Sequence, residues 1–199
     1  MLEKKEVTHK GRIIRTEIRT TATPQQVWEA WTDPVKLSQW FTDRAMGEAK
    51  VGTFMTWIFE RFGYELPYEV IEALPRQRLI LQANRPGREP GILEITIERE
   101  GLHTIMRLVN SGFNERAEWD EEYEGVDSGW RAALSILHLY LERYFGRPRS
   151  SFLVLHPAEF EYEQVLPFFL EPGGLSKWLT NSGSIGRVGA EYELVRIGS

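Results

Sequence analysis

Hydrophobic positions recur with helical spacing in two parts of the chain and with strand-like spacing between them. In residues 23–41 the large apolar side chains recur every three or four positions, as they do on one face of a helix. Thr23-Pro24 and Asp33-Pro34 each place a capping residue before a proline, which favours a helix start. This segment predicts two short helices joined at Asp33-Pro34, preceded by a β-branched strand over residues 11–20.

Short apolar or alternating segments fill residues 45–109, separated by turns that contain Gly or Pro. We expect strands over residues 45–50, 52–61, 67–74, 78–83, 92–99 and 102–109, because such spacing is typical of an antiparallel meander. Beyond an acidic stretch at residues 115–124, one apolar stripe predicts a long helix; its positions are Trp130, Leu134, Leu137, Leu141 and Tyr144. The predicted class is α+β, a helix-grip fold with an antiparallel sheet of six to seven strands and a long C-terminal helix.

Residues 162–195 repeat residues 23–59 in a weaker form. Gln164-Val165 matches Gln26-Val27 at an offset of 138 residues, and the same offset aligns Trp178 with Trp40. Gap-free agreement of this kind indicates an internal repeat. We therefore expect a complete helix-grip domain over residues 1–148. Residues 149–199 form a partial copy (strand, two short helices, strand) that packs on the first domain or on a partner chain.

Composition narrows the classes of function. The chain has 199 residues, a net charge of −5 and no cysteine. Negative charge without a Lys/Arg-rich cluster argues against nucleic-acid binding, and the lack of cysteine excludes disulfides and Cys-based zinc sites. The charged N-terminus has no signal-peptide pattern, and no apolar run approaches the roughly 20 residues that cross a bilayer. We expect a cytoplasmic protein without a membrane span.

Motifs for catalysis or cofactor binding are absent from the sequence. It contains neither the Gly-x-Ser-x-Gly nucleophile motif nor a glycine-rich phosphate-binding motif. A metal needs three or four convergent ligands, whereas the histidines are scattered; they are His9, His103, His138 and His156. Acidic residues 115–124 are better interpreted as a solvated helix start than as paired catalytic carboxylates. We predict no cofactor, no metal site and no catalytic residue.

Several of these residues together resemble one family. They are Thr23-Pro24, Val27-Trp28, Trp31-Thr32-Asp33-Pro34, Leu37, Trp40-Phe41, Ser111-Gly112-Phe113, Gly129-Trp130, Leu134 and Leu137. Over residues 10–146 the chain resembles the activator of heat-shock-protein-90 ATPase homologue-like family, within the START-like (birch-pollen-allergen-like, SRPBCC) superfamily. The resemblance implies a curved sheet that grips the long helix, with an apolar cavity between them. A stress-related or chaperone-associated role is implied by the family's name alone.

The implied cavity leads to our first hypothesis, a non-enzymatic binding protein for a small apolar or aromatic ligand. Inward-facing residues that no neighbour covers become pocket wall. Our ligand-binding candidates are Trp57, Phe59, Ile71, Leu81, Ile95, Met106, Leu134, Leu137 and His138. Because strand faces alternate, a one-residue slip would reverse an assignment.

Two further hypotheses stay open. The partial repeat ends in a predicted strand over residues 187–197, and a strand with a free edge pairs readily with another sheet. This favours a protein–protein interaction role, with a homodimer through residues 150–199. The third hypothesis is a cyclase- or hydrolase-like enzyme on the same scaffold, for which Glu60, Glu69 and His138 are the first candidates.

Overall fold

A computed structural model describes residues 8–84 and 89–149. Within these ranges seven antiparallel strands form one sheet in the order β1-β7-β6-β5-β4-β3-β2. The strands are β1 (Arg12–Thr20), β2 (Arg44–Gly47), β3 (Phe54–Phe59), β4 (Tyr64–Leu74), β5 (Arg78–Ala83), β6 (Gly91–Glu100) and β7 (His103–Phe113). The α-helices are α1 (Pro24–Thr32), α2 (Pro34–Trp40) and α3 (Asp120–Leu139). The α+β helix-grip class is confirmed.

Capping residues set the bent pair of short helices. The Thr23 hydroxyl accepts a hydrogen bond from the backbone N–H of Gln26 at 3.2 Å, and the Gln26 side chain accepts one from the backbone N–H of Thr23 at 2.9 Å, which is a capping box. Asp33 ends α1 and caps α2 through two backbone N–H groups of the next turn. The Trp40 indole donates to the carbonyl of Ala30 at 2.9 Å and ties the helices together. Both predicted short helices are confirmed.

The strand order follows the predicted meander, with differences at the strand ends. β3 stops at Phe59 because a 3₁₀ turn, Glu60–Phe62, leads to Gly63 in the left-handed conformation. β4 starts at Tyr64, earlier than the predicted residue 67, and β7 continues to Phe113, beyond the predicted residue 109. The longer β4 and β7 carry polar and aromatic residues that the predicted strands left in turns.

A bulge interrupts β4. Val70 pairs with Leu81 and Glu72 pairs with Ile80, so Ile71 is the extra residue. An extra residue exchanges the two faces of a strand. Val70 accordingly faces the core before the bulge, whereas Glu72 lies on the outer face after it.

The long helix changes character at its end, where Tyr140–Tyr144 form a π-helical turn. The wider turn rotates later side chains away from the α-helical stripe. Leu141 is buried, whereas Tyr144 is 46% exposed, so the prediction that Tyr144 belongs to the buried stripe is wrong. The earlier positions Trp130, Leu134 and Leu137 are buried as predicted.

Ion pairs and hydrogen bonds hold both ends of the long helix. At its start, Arg12 of β1 pairs with Asp120. Beyond its end, the Glu142 carboxylate accepts hydrogen bonds from the Thr20 hydroxyl at 2.6 Å, the Thr21 N–H at 2.7 Å and the Thr21 hydroxyl at 2.5 Å. Burial acts to raise the pKa of Glu142, but these hydrogen bonds outweigh it and lower that pKa to about 2.

A polar cluster occupies the sheet face opposite α3. Arg78 contacts Glu72 at 3.3 Å and Glu94 at 2.8 Å, and His9 contacts Glu94 at 2.8 Å and Ser111 at 2.9 Å. Burial acts to raise the pKa of Glu94, but its hydrogen bonds from Arg78 and His9 lower it overall. Buried charges persist in proteins when they are paired in this way.

The predicted partial repeat lies, apart from Arg149, outside the described residues, as does the segment predicted to form a homodimer. The division into domains therefore stays a prediction. In the part of the chain that the structure describes, no helix is long and apolar enough to cross a membrane.

Candidate functional site

A cavity of about 550 Å³ lies between the sheet and the first half of α3. Its wall residues come from β3, β4, β5, β7, α3 and the end of α2; they are Phe41, Trp57, Phe59, Tyr64, Glu65, Leu66, Pro67, Tyr68, Ala83, Asn84, Asn110, Gly125, Val126, Gly129 and Trp130. The buried residues of α3 begin at Trp130. Nearer its N-terminus the helix contributes two glycines to the cavity wall, the exposed Gly125 and the half-buried Gly129.

Aromatic rings in mutual contact form most of the cavity wall. The Phe41 ring packs edge-on against Trp57, with centroids 5.3 Å apart, and stacks on Trp130 at 5.5 Å. Trp57 also contacts Tyr68 at 4.6 Å, and Phe41 contacts Phe59 at 5.4 Å. Such pairs favour particular ring orientations, so the chain's own packing holds the wall in place.

Among the described residues, three buried indole N–H groups beside the cavity lack acceptors. The Nε1 atoms of Trp31, Trp57 and Trp130 have no hydrogen-bond partner within the described residues. Trp57 and Trp130 are wall residues, and the Trp31 ring lies behind them, 6.1 Å from each. Buried donors are paired in the great majority of cases, so three unpaired donors in one cluster are unusual.

The remaining polar wall groups are mostly neutral. Asn110 is 5% exposed, and its amide makes a long contact of 3.5 Å with the Ile92 carbonyl. Asn84 accepts a hydrogen bond from Gln82 at 3.1 Å. Burial raises the pKa of Tyr64, so its hydroxyl stays protonated at neutral pH. Glu65, which is exposed, carries the one carboxylate among the described wall residues.

The structure brings two of the predicted ligand-binding residues, Trp57 and Phe59, to the cavity wall. Others are packed inside the core rather than facing open space; they are Leu81, Ile95, Met106, Leu134 and Leu137. Ile71 is half-buried at the bulge of β4. His138 is exposed on α3, because it lies one position off the buried stripe at Leu137.

Sequence reasoning missed most of the wall. Phe41 and Trp130 belong to the set of large aromatic residues that the sequence singles out. The sequence pattern, however, does not distinguish aromatic residues packed in the core from those that line the cavity. Gly125 and Gly129 carried a clearer signal: two glycines four positions apart interrupt an otherwise amphipathic helix. The sequence does not indicate Asn110 as a wall residue, because a polar residue at the end of a predicted strand is common.

The other candidates for a site are a metal centre and a larger surface cavity. In the described ranges no group of three or more His, Asp or Glu side chains is placed to hold a metal ion. A cavity of about 890 Å³ lies near the start of α3. Its wall includes exposed charged residues, Lys10, Glu89, Glu115 and Arg116, whereas small-molecule sites are mostly apolar and concave.

The seven-stranded sheet and the long helix packed on it define a helix-grip fold, and comparison with known families agrees. The chain belongs to the family described as Activator of Hsp90 ATPase homolog 1-like protein, whose model matches residues 21–142. No curated protein matches the sequence significantly.

Three solved structures illustrate the shared fold. The solution structure of the Aha1 dimer from Colwellia psychrerythraea is 21% identical, with a TM-score of 0.61 over 68% of this chain and 100% of that one. The solution structure of CalU16 from Micromonospora echinospora is 22% identical, with a TM-score of 0.58 over 86% of this chain and 88% of that one. DynU16, a protein of the dynemicin biosynthetic locus, is 21% identical, with a TM-score of 0.58 over 92% of this chain and 64% of that one. Similarity at this level concerns the fold alone.

Proposed function

We propose that this chain is a binding protein that holds a small apolar or aromatic molecule in the cavity between the sheet and α3, without catalysing a reaction. The observation that carries the proposal is the aromatic wall. Rings from Phe41, Trp57, Tyr68 and Trp130 line an open-sided space of about 550 Å³, within the range typical of small-molecule sites. Burial of a ligand's apolar surface against these rings supplies the affinity.

The chemistry of the wall supports binding over catalysis. General acid–base catalysis needs a positioned proton donor and acceptor within hydrogen-bond reach of the substrate. Glu60, Glu69 and His138, the candidates for an enzyme, are not among the wall residues. Glu65 is exposed and has no second carboxylate or histidine beside it in the described wall. The enzyme alternative is therefore the weaker one.

Family membership is compatible with a binding role and does not select the ligand. One relative of the same fold belongs to a biosynthetic locus, and small aromatic compounds are reasonable first probes on chemical grounds. A chaperone-associated role rests only on the family's description, and nothing in the geometry of the cavity favours it.

A matched pair of substitutions tests the proposal. Val126 is a half-buried wall residue on α3, whereas Val35 is 69% exposed on α2. We would present a mixture of tricyclic aromatic hydrocarbons and long-chain fatty acids to the purified chain and detect bound species by native mass spectrometry. We expect one retained ligand per chain, lost in Val126→Phe and kept in Val35→Phe. Retention of nothing by the unmodified chain, or equal retention by both variants, would refute the proposal.

A second proposal concerns self-association. The structure similar in fold from Colwellia psychrerythraea is described as a dimer, and our sequence interpretation places a free strand edge in residues 150–199. We propose a homodimer of this chain. Sedimentation equilibrium at high micromolar concentration should give about twice the chain mass of 23.1 kDa; a mass equal to that of one chain would contradict it.

A further inference from the structure

A half-buried arginine beyond the long helix reaches the loop that carries the wall residue Phe41. After the π-helical turn the chain reverses at Gly146, which adopts φ +78°. The Gly146 N–H donates a hydrogen bond to the Tyr140 hydroxyl at 3.1 Å, and that hydroxyl donates to the Gln39 side chain of α2 at 2.7 Å. This turn directs the chain towards the end of α2, where Arg149 lies half-buried.

Backbone carbonyls are the close partners of Arg149. Its guanidinium donates hydrogen bonds to three consecutive carbonyl oxygens: Trp40 at 2.9 Å, Phe41 at 3.4 Å and Thr42 at 2.7 Å. The Asp43 carboxylate is farther away, at 4.0 Å. Carbonyls at the C-terminal end of a helix have no partner inside the helix, and the helix dipole favours a cation there. Because the guanidinium is a planar fork of five donors, it holds the three peptide groups in one arrangement.

A second arginine holds the same loop at its other end. The Asp43 carboxylate accepts a hydrogen bond from Arg61 Nε at 2.8 Å and also pairs with a terminal nitrogen of that guanidinium. Arg61 lies in the 3₁₀ turn, two residues after the wall residue Phe59. Residues 41–43, which join α2 to β2, are therefore held by Arg149 at the carbonyls and by Arg61 at the Asp43 side chain.

This loop carries the central ring of the cavity wall, that of Phe41. The ring contacts Trp57 and Phe59 of β3 and Trp130 of α3, so it connects the sheet side of the wall with the helix side. The direction of a side chain is coupled to its own backbone, and the carbonyls of both peptide groups that flank Phe41 accept hydrogen bonds from Arg149. Arg149 is not among the described wall residues, so its effect on a ligand passes through this ring.

We infer that Arg149 is a positioning residue of the ligand site: it fixes the two peptide groups that flank Phe41 and thereby holds the Phe41 ring in the cavity wall. The inference rests on the proposed function and deepens it, since it makes ligand affinity depend on the segment that follows α3. A wall ring that is already fixed does not have to be ordered when the ligand binds, which preserves affinity. Removal of the guanidinium should therefore weaken binding roughly 3- to 10-fold, the effect of ordering one side chain.

The first test needs no ligand. Arg149→Met keeps an apolar side chain and removes every donor, and Arg147→Met, at an exposed position two residues earlier, is the matched control with the same change of charge. In full-length protein labelled with 4-fluorophenylalanine, the signal that Phe41→Leu removes is assigned to Phe41. We expect this ¹⁹F signal to shift or broaden in Arg149→Met and to stay unchanged in Arg147→Met. The signal of Phe54, which is 53% exposed on β3, should move in neither variant.

The second test measures ligand affinity by equilibrium dialysis with fluorene, a tricyclic aromatic hydrocarbon. We expect Arg149→Met to bind fluorene roughly 3- to 10-fold more weakly, and Arg147→Met to bind it as the unmodified chain does. Because Arg149 acts through the Phe41 ring, Arg149→Met should have no further effect in a Phe41→Leu background, as a double-mutant cycle reports. A residue that serves only the fold would lower the free energy of unfolding in urea and leave both the Phe41 signal and the affinity unchanged.

Each outcome decides a stated point. An unchanged Phe41 signal or an unchanged fluorene affinity in folded Arg149→Met overturns the inference and leaves cavity binding intact. Equal losses of affinity with and without the Phe41 ring overturn it as well. If Arg149→Met does not fold, Arg149→Lys replaces it; this variant keeps the charge without the planar fork and should move the same signal and weaken binding. If the unmodified chain binds no fluorene, the inference fails, and if it also retains nothing in the native mass spectrometry experiment, the proposed function fails with it.

Discussion

Replacing both wall glycines by alanine should stabilise the protein while it narrows the cavity. Each Gly→Ala change in a helix interior contributes about 0.5–1 kcal/mol. The structure provides the two conditions for the full effect: neither backbone is in the left-handed region, and no atom lies within 4 Å of the point that either Cβ would occupy. We therefore expect Gly125→Ala/Gly129→Ala to raise the free energy of unfolding by about 1–2 kcal/mol.

Urea unfolding followed by circular dichroism measures this change, with the slope against urea as a check that the unfolded state is unaltered. Gly101→Ala is the contrasting control. Gly101 also has open space around its Cβ position but adopts φ +59° in the β6–β7 turn, so alanine there should destabilise by about 1 kcal/mol. If the double variant is less stable than the unmodified chain, the space beside α3 is not open and the reasoning fails. A gain in stability with a loss of ligand affinity is the expected exchange between stability and function.

The remaining predictions concern the supports of the fold. Glu142→Gln should lower the free energy of unfolding at neutral pH by about 1 kcal/mol, a value reduced for solvent exposure. Because the pKa of Glu142 falls from 4.5 to about 2 on folding, its contribution is present above pH 4.5 and is lost as pH falls towards 2, where variant and unmodified chain should converge. Gly47→Ala should destabilise more than Gly52→Ala, since both have positive φ but only the Gly47 Cβ would meet backbone, 2.0 Å from the Phe54 oxygen. Thr23→Ala should cost about 1 kcal/mol through loss of the capping box, and Thr23→Ser should restore most of it.

Thermal and urea unfolding between pH 7 and pH 2.5 provide the measurements for these variants. A constant difference between Glu142→Gln and the unmodified chain across that range would contradict the assignment of the low pKa. Glu121→Gln, at an exposed position of α3, is the control. Equal losses of stability in Gly47→Ala and Gly52→Ala would show that the backbone at Phe54 shifts to make room for the added methyl group. An unchanged stability in Thr23→Ala would mean that solvent replaces the cap.

The sequence predicted best those elements whose formation depends on residues close together along the chain. The capping residues Thr23 and Asp33 act within one helical turn, so the two short helices follow from neighbouring residues alone. The alternation in residues 92–99 likewise predicts β6, because it assigns each residue to the inner or outer face without knowledge of the neighbouring strands. The long helix follows from one apolar stripe.

The misplaced features have causes that are not local. The bulge at Ile71 depends on how β4 pairs with β5, and the sequence of β4 alone does not predict it. The π-helical turn moves Tyr144 into solvent while Glu142 bonds to Thr20 across more than a hundred residues. These contacts exist only in the folded chain, so periodicity could not reveal them.

The candidate site was predicted only in outline. Apolar residues such as Leu81 and Met106 satisfy the same sequence criteria as Trp57, yet they are filled core and Trp57 is wall. The difference lies in what packs opposite each residue, and here it depends on glycines in another element. No single residue encodes a cavity. A sequence therefore indicates a cavity best through small residues at positions where a larger side chain would fill the space.

The central claim is that the space between the sheet and α3 holds a small apolar or aromatic ligand. A crystal structure of the full chain with fluorene, a tricyclic aromatic hydrocarbon, tests it most directly. We predict electron density for one tricyclic ring in the cavity, packed against the Trp57 and Trp130 rings. A cavity that contains only water, with the probe bound elsewhere or nowhere, would contradict the claim.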